Sequence, residues 1–191
     1  MLEEKIQEKT LEENLKKYFG YSTFRKGQKE IIEKILDKKD ILGVLPTGGG
    51  KSICYQLPAL LMEGMCLVIS PLISLMKDQV DSLIENGISA GFINSSMNRK
   101  EYSQILSKVK RGQIKILYLA PERLSNHFFI DFIRDLDISF IAVDEAHCIS
   151  QRGHDFRPAY KLIANIYQIL ERDVPIAAFT ATATQEVRQD I

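Results

Sequence analysis

Residues 41–52 read ILGVLPTGGGKS: an apolar run, a proline, three consecutive glycines, then lysine and serine. No other stretch constrains the fold as tightly. A short apolar run of this kind is a strand covered on both faces. Three glycines free the backbone for a turn that side chains would obstruct, and Gly-Lys-Ser opens a helix. Further runs of the same kind follow at 66–70 (CLVIS), 115–120 (KILYLA), 139–144 (SFIAVD) and 176–180 (IAAFT). Between them the spacing turns helical. Ile31, Ile32, Ile35 and Leu36 would share a face, as would Ile73, Met76, Val80, Leu83 and Ile84, and later Leu162, Ile163, Ile166 and Ile169. Strands alternating with helices need right-handed crossovers, which predicts an α/β fold with a mostly parallel central sheet and helices on both faces.

The 191 residues suit one globular domain, and 45% of them are hydrophobic, enough for a substantial core. The 25 basic and 25 acidic residues cancel, so any surface for a polyanion must be built locally. No apolar run approaches the ~18 residues that span a bilayer, and MLEEKIQEKTLEEN is too acidic for the front of a signal peptide. The expectation is a cytoplasmic protein, associated with the nucleoid if bacterial, monomeric and without a membrane partner. Cys54, Cys66 and Cys148 lack paired spacing and read as reduced, packed residues. Residues 1–18 read as a surface helix ahead of a domain at 19–191, with Leu2, Ile6, Leu11 and Leu15 leaning inward.

In such a sheet, ligands collect at the carboxyl ends of the strands. After ILGV, the backbone at Thr47, Gly48, Gly49 and Gly50 can fold closely around phosphates, at the N-terminus of the next helix. Lys51 can neutralise β- and γ-phosphates and the Ser52 hydroxyl can ligate Mg²⁺. The full pattern G-x-x-x-x-G-K-[ST] is not met, since Leu45 holds its first position. A glycine-rich turn is the competing reading. After FIAV come adjacent carboxylates: Asp144 can hold Mg²⁺ opposite Ser52, and Glu145 can orient or deprotonate an attacking water. A solvated turn is the alternative there, and a zinc site of His147, His154 and Cys148 matches no ligand spacing. After the run at 176–180, Thr180 and Thr182 should lie beside Asp144 and His147 and could sense a bound nucleotide.

With these residues in place, the chain resembles, from about Phe19 onward, the first RecA-like domain of RecQ-family DNA helicases within superfamily 2. LPTGGGKS resembles motif I, SPLISLMKDQV (70–80) motif Ia, LAPERL (119–124) motif Ib, DEAH (144–147) motif II and FTATAT (179–184) motif III. FGYSTFRKGQ (19–28) is similar to motif 0, and HDFRP (154–158) to the segment after motif II. The resemblance implies ATP and Mg²⁺ as cofactors, catalytic roles for Lys51, Asp144, Glu145 and His147, and DNA, single-stranded or partly duplex, as partner. It implies that Gln28 reads the adenine edge while Tyr21 and Arg25 stack on the ring, chemistry that an amide and a planar guanidinium allow. Helix starts at Pro71, Leu72 and Pro121 would offer backbone N–H groups to phosphates, with Lys77, Asn94 and Arg123 as further contacts. Arg99, Lys100, Lys108, Lys110 and Arg111 read as a solvated helix face.

In the family, the loop after motif II is rich in aromatics, touches single-stranded DNA and relays its presence to the ATP site. Here that role falls to Arg152, His154, Phe156, Arg157 and Tyr160, together with Thr180 and Thr182. Arg152 stands where the family pattern calls for tryptophan, and the chain has none. Stacking a base on an aromatic is worth ~1–3 kcal/mol, so Arg152 implies weaker stimulation by DNA with nucleotide binding nearly intact. The resemblance also implies a second RecA-like domain, zinc-binding and winged-helix regions that lie outside these residues. The expectation is a motor that unwinds DNA 3′ to 5′ in recombination and repair, of which residues 1–191 alone bind nucleotide without unwinding. Another superfamily 2 motor, for example an RNA helicase or a restriction translocase, and a scaffold that binds nucleotide without turnover are the alternatives.

Overall fold

The computed structural model describes residues 2–150, 156–163, 166, 170 and 174–191, the side chains of 2–10 and 186 excepted. Its centre is a six-stranded sheet: β1 Ile41–Val44, β2 Met65–Ile69, β3 Ala90–Ile93, β4 Ile116–Leu119, β5 Ile138–Val143 and β6 Ile176–Thr180. The spatial order is β1-β6-β5-β2-β4-β3, and every pairing is parallel. Five strands coincide with the apolar runs. The edge strand β3 was not among them, because AGFI is short and broken by glycine. Gly91 is there for fit: a Cβ would stand 2.4 Å from Ile105 Cδ1 on the covering helix.

Among the described residues the α-helices with defined bounds are α1 Leu2–Phe19, α2 Gln28–Leu36, α3 Lys51–Leu61, α4 Ile73–Glu85, α5 Arg99–Lys110, α6 His127–Arg134 and α7 Gln185–Asp190. Because side chains alternate along a strand, each central strand feeds two cores. Cys66, Val68, Tyr118, Phe140 and Phe179 face α2, α3 and α4. Leu67, Ile69, Leu119, Ile141 and Val143 face Val109 of α5, Phe129 and Ile133 of α6, and Ile163 and Ile166. The expected helices on both faces are present. On α4, Met76, Val80 and Leu83 are buried as the spacing required, but Ile73 and Ile84 are 37% and 55% exposed, because a single sheet face covers only a narrow stripe of a helix. Leu2, Ile6, Arg152, His154 and Ile169 lie outside the described side chains.

α1 is more than a surface appendage. Leu11 and Leu15 form a third buried cluster with Ile32 of α2 and Leu57 of α3, closed by Phe24, Ile53 and other partly buried neighbours. Leu15→Ala should therefore cost about 2–4 kcal/mol of unfolding free energy, the range for deleting a buried leucine, measured by urea titration. A cost below about 0.5 kcal/mol, the range for surface substitutions, would make α1 a surface helix.

Candidate nucleotide site

The glycine loop joins β1 to α3 at the carboxyl edge of the sheet. Gly48 and Gly50 have φ of +75° and +79°, a left-handed conformation that side chains disfavour. At Gly50 a second constraint acts: a Cβ would lie 2.4 Å from Gln28 Nε2. Gln28 is buried, 2% exposed, where the sequence left it as an exposed helix start unless it read a base. Its amide is already engaged. Oε1 accepts from the Arg25 N–H at 2.8 Å, and Nε2 donates to the carbonyls of Gly50 at 3.1 Å and Gly49 at 3.4 Å. The Arg25 guanidinium donates to the Gly48 carbonyl. These bonds lash the motif 0 segment onto the glycine loop and leave a pocket of about 330 Å³ between them, lined by Leu15, Tyr21, Arg25, Gln28, Lys51 and Ser52 among others. Thr47 is exposed on the loop. Leu15 was missed as a pocket residue; its inward-leaning period was legible, the cavity it reaches was not.

Asp144 extends β5 by one ladder bond, its N–H donating to the Ile69 carbonyl at 2.8 Å. Glu145 then turns sharply, with φ +50° and ψ +45°, a conformation that costs a non-glycine residue about 1 kcal/mol or more. The turn aims its carboxylate inward: Oε1 stands 4.0 Å from Lys51 Nζ and Oε2 3.3 Å from His147 Nδ1. At 4.0 Å the Lys51 ammonium is at the outer limit of an ion pair, so it retains capacity for another anion. His147 Nδ1 also lies 3.0 Å from Thr180 Oγ1. The Thr180 hydroxyl donates its proton to the Thr182 carbonyl at 2.8 Å. It can therefore only accept from His147, which assigns the ring proton to Nδ1. Lys51, Glu145, His147 and Thr180 thus form one continuous chain across three strand ends.

In the segment after DEAH, two residues turn inward. Tyr160 is 1% exposed and donates its hydroxyl to the Asp144 carbonyl at 2.8 Å. It is packed under motif II and cannot stack on a base. Arg157 turns inward, Nη1 donating to the Pro71 carbonyl at 3.0 Å, so its guanidinium is held by motif Ia instead of facing a phosphate. Phe156 is partly exposed, with Lys161 Nζ 5.6 Å from its ring centre. Two further contact candidates are also engaged: Asn94 is buried and caps Ser96 through Oδ1, and the Arg123 guanidinium donates to the Asn94 carbonyl. Pro121 opens a five-residue 3-10 turn, not the helix expected. Lys77 and the basic residues 99, 100, 108, 110 and 111 are exposed.

The sequence profile of the DEAD/DEAH box helicases matches residues 25–191. The chain belongs to this family. Within it, the chain is 50% identical over 191 residues, all of its length, to the ATP-dependent DNA helicase RecQ of Haemophilus influenzae, and 51% identical over 175 residues, 91% of its length, to RecQ of Bacillus subtilis. It spans 31% and 30% of those relatives. The DNA-bound crystal structure of the DUF1998 helicase MrfA has the same fold, with a TM-score of 0.75 over 94% of this chain and 27% of that one, at 18% identity. The DEAD/DEAH signature is thus the Asp144–His147 turn itself, and the Gly-Lys-Ser loop faces it across β6 and β5.

Burial, followed by the neighbouring Glu145 carboxylate, pushes the Asp144 carboxyl up to about 6, against the opposing pull of the Glu145 N–H, Lys51 and His147. Below about pH 4 an aspartate is protonated folded or unfolded. Between about pH 4 and pH 6 the unfolded chain releases this proton while the folded chain still holds it, so folding loses stability across that window and the full cost is present above it. Asp144→Asn removes that cost and keeps the acceptor for the Glu145 N–H. In EDTA at pH 7.5 the variant should melt about 3–6 °C above the parent, and the gain should vanish by pH 4. A lower melting point at pH 7.5 would contradict this account of Asp144.

Proposed function

We propose that this chain is the nucleotide-binding domain of an ATP-dependent DNA helicase of RecQ type, coupling ATP hydrolysis to DNA unwinding. The observation that carries the reading is the chain Lys51, Glu145, His147, Thr180, which links motifs I, II and III beside a pocket sized for a base. In this reading the triphosphate lies on the Gly48–Gly50 backbone and Lys51, and the base enters between Tyr21 and Arg25. Glu145, held by His147, orients or deprotonates the attacking water, and Thr180 registers the state of that histidine. Phosphoryl transfer needs mainly positioning and charge neutralisation, and these residues are of the kinds required.

The residues also suit Mg²⁺. Ser52 offers a hydroxyl and Asp144 a carboxylate whose buried charge is poorly compensated, a hard-oxygen pair of the kind that holds this ion through one or two protein ligands. Bound there, the ion would neutralise charge on the phosphate oxygens.

The DNA reading is supported by the RecQ likeness and by the inward ties of Arg157 and Tyr160. They join the residues after DEAH to motif Ia and to Asp144, so that a contact on Phe156, Arg152 or His154 would be felt at the ATP site. Translocation 3′ to 5′ and a role in recombination and repair complete the proposal. Residues 1–191 alone are proposed to bind nucleotide without unwinding. Among the described residues the cations lining the pocket are Lys51 and Arg25, whereas related enzymes gain ~10³–10⁵ in rate from an added arginine.

In a polypeptide that carries this domain at the full length of the RecQ relatives, Glu145→Gln should retain ATP binding and lose ~10²–10⁴ in turnover, the share of a general base, and single-stranded DNA should stimulate the parent more than RNA of the same length. Unchanged turnover in Glu145→Gln would favour a nucleotide-binding scaffold, and stronger stimulation by RNA an RNA motor.

A further inference from the structure

A hydrogen bond outside the nucleotide pocket joins the turn that carries DEAH to the helix that follows motif III. Ser150 ends the 3-10 turn Ala146–Ile149 and is fully buried, 0% exposed. Its N–H donates to the His147 carbonyl at 3.1 Å, and its hydroxyl donates to Asp190 Oδ2, 40 residues away, at 2.7 Å. Asp190 is the last residue of α7 and is exposed. That helix is itself anchored. The Thr184 hydroxyl accepts from the Val187 N–H at 3.3 Å, Val187 is buried, and Ile191 packs on the core cluster that holds Ala146 and Cys148.

Local preference would place neither residue in this bond. A serine at the end of a turn can satisfy its hydroxyl on a carbonyl a few residues back, yet here the hydroxyl crosses to another element. A carboxylate at the last residue of a helix meets the negative end of the helix dipole and is disfavoured there. What it gains is a short hydroxyl–carboxylate bond, stronger than one between neutral groups. The same turn is tied to the same stretch of chain a second time, His147 Nδ1 lying 3.0 Å from Thr180 Oγ1. Because the Ser150 backbone is bonded to that of His147, both ties act on one short turn. The outer tie limits how far the imidazole can swing from Thr180 and Glu145.

We infer that Ser150 and Asp190 are positioning residues whose bond clamps the DEAH turn to α7 and keeps His147 on Thr180, and through His147 the Glu145 carboxylate in place. The inference rests on the ATP reading above and adds to it a second control of the water-activating group, separate from the ties of Arg157 and Tyr160. Neither Ser150 nor Asp190 lines the nucleotide pocket, so the clamp acts on turnover and leaves nucleotide binding alone.

The test measures ATP turnover with saturating single-stranded DNA in the same full-length polypeptide, counted per molecule that binds fluorescent ATP so that unfolded protein does not contribute. Asp190→Ala should lower kcat about 3- to 10-fold, the worth of one hydrogen bond, with KM for ATP and the affinity for fluorescent ATP unchanged. Asp190→Asn, which keeps an acceptor oxygen, should fall between Asp190→Ala and the parent. Ser150→Ala should lose at least as much as Asp190→Ala, and adding Asp190→Ala to it should cost nothing further. A loss that appears in KM instead of kcat, an Asp190→Asn no faster than Asp190→Ala, or losses that multiply in the double variant would overturn the inference and reduce the bond to packing. A parent without ATP turnover would overturn it together with the proposed function, whereas an active parent whose kcat Asp190→Ala preserves would remove this inference alone.

Discussion

The site depends on β1, β6 and β5 lying side by side and running the same way. The ladders continue one residue past the strands: the Leu45 N–H donates to the Thr180 carbonyl at 3.1 Å and the Asp144 N–H to the Ile69 carbonyl at 2.8 Å. The glycine loop, the DEAH turn and the threonine-bearing tip therefore leave the sheet at a common level. Segments about 130 residues apart in sequence become neighbours, and His147 meets Thr180 without any loop having to reach. A parallel sheet covered on both faces is rigid, so the side chains of the candidate site inherit their spacing from the backbone.

On that frame the chemistry is arranged against local stability. Glu145 is held in a left-handed conformation, and Asp144 carries a carboxyl raised by its own burial. Both are costs to folding, and both fall on the two acidic residues of one turn. Strain and poorly compensated charge gathered at one place mark a site built for a ligand, and here the ligand would have to bring cations with its phosphates. The Lys51–Glu145 separation of 4.0 Å fits the same interpretation, since a closed ion pair would have left no charge available.

Much of this was legible in the sequence because it follows from residue type and period. Five of six strands announce themselves as apolar runs, and each strand end supplies its own signal: glycines with Lys51, adjacent acids, paired threonines. What was not legible is direction. Tyr160 read as stacking on or packing beneath a base and Arg157 as meeting a phosphate or linking to motif II, and the sequence could not choose between these; both point inward, Tyr160 to the Asp144 carbonyl and Arg157 to that of Pro71. Gln28 read as an exposed helix start or as a reader of the base edge, and the structure instead buries it and ties its amide to the Arg25 backbone and the glycine loop. Local patterns encode which element forms; hydrogen-bond partners across the sheet are fixed only once the strand order is known. Strand β3 was lost for a third reason, a glycine that serves the packing of α5 and weakens the strand signal.

The most direct measurement is a crystal structure of residues 1–191 with a non-hydrolysable ATP analogue and Mg²⁺. The account predicts the triphosphate on the backbone of Gly48, Gly49 and Gly50 with Lys51 on its β- and γ-oxygens, the metal ion between Ser52 and Asp144, and the base beside Tyr21. A triphosphate bound away from the glycine loop, or a metal ion held without either Ser52 or Asp144, would contradict it.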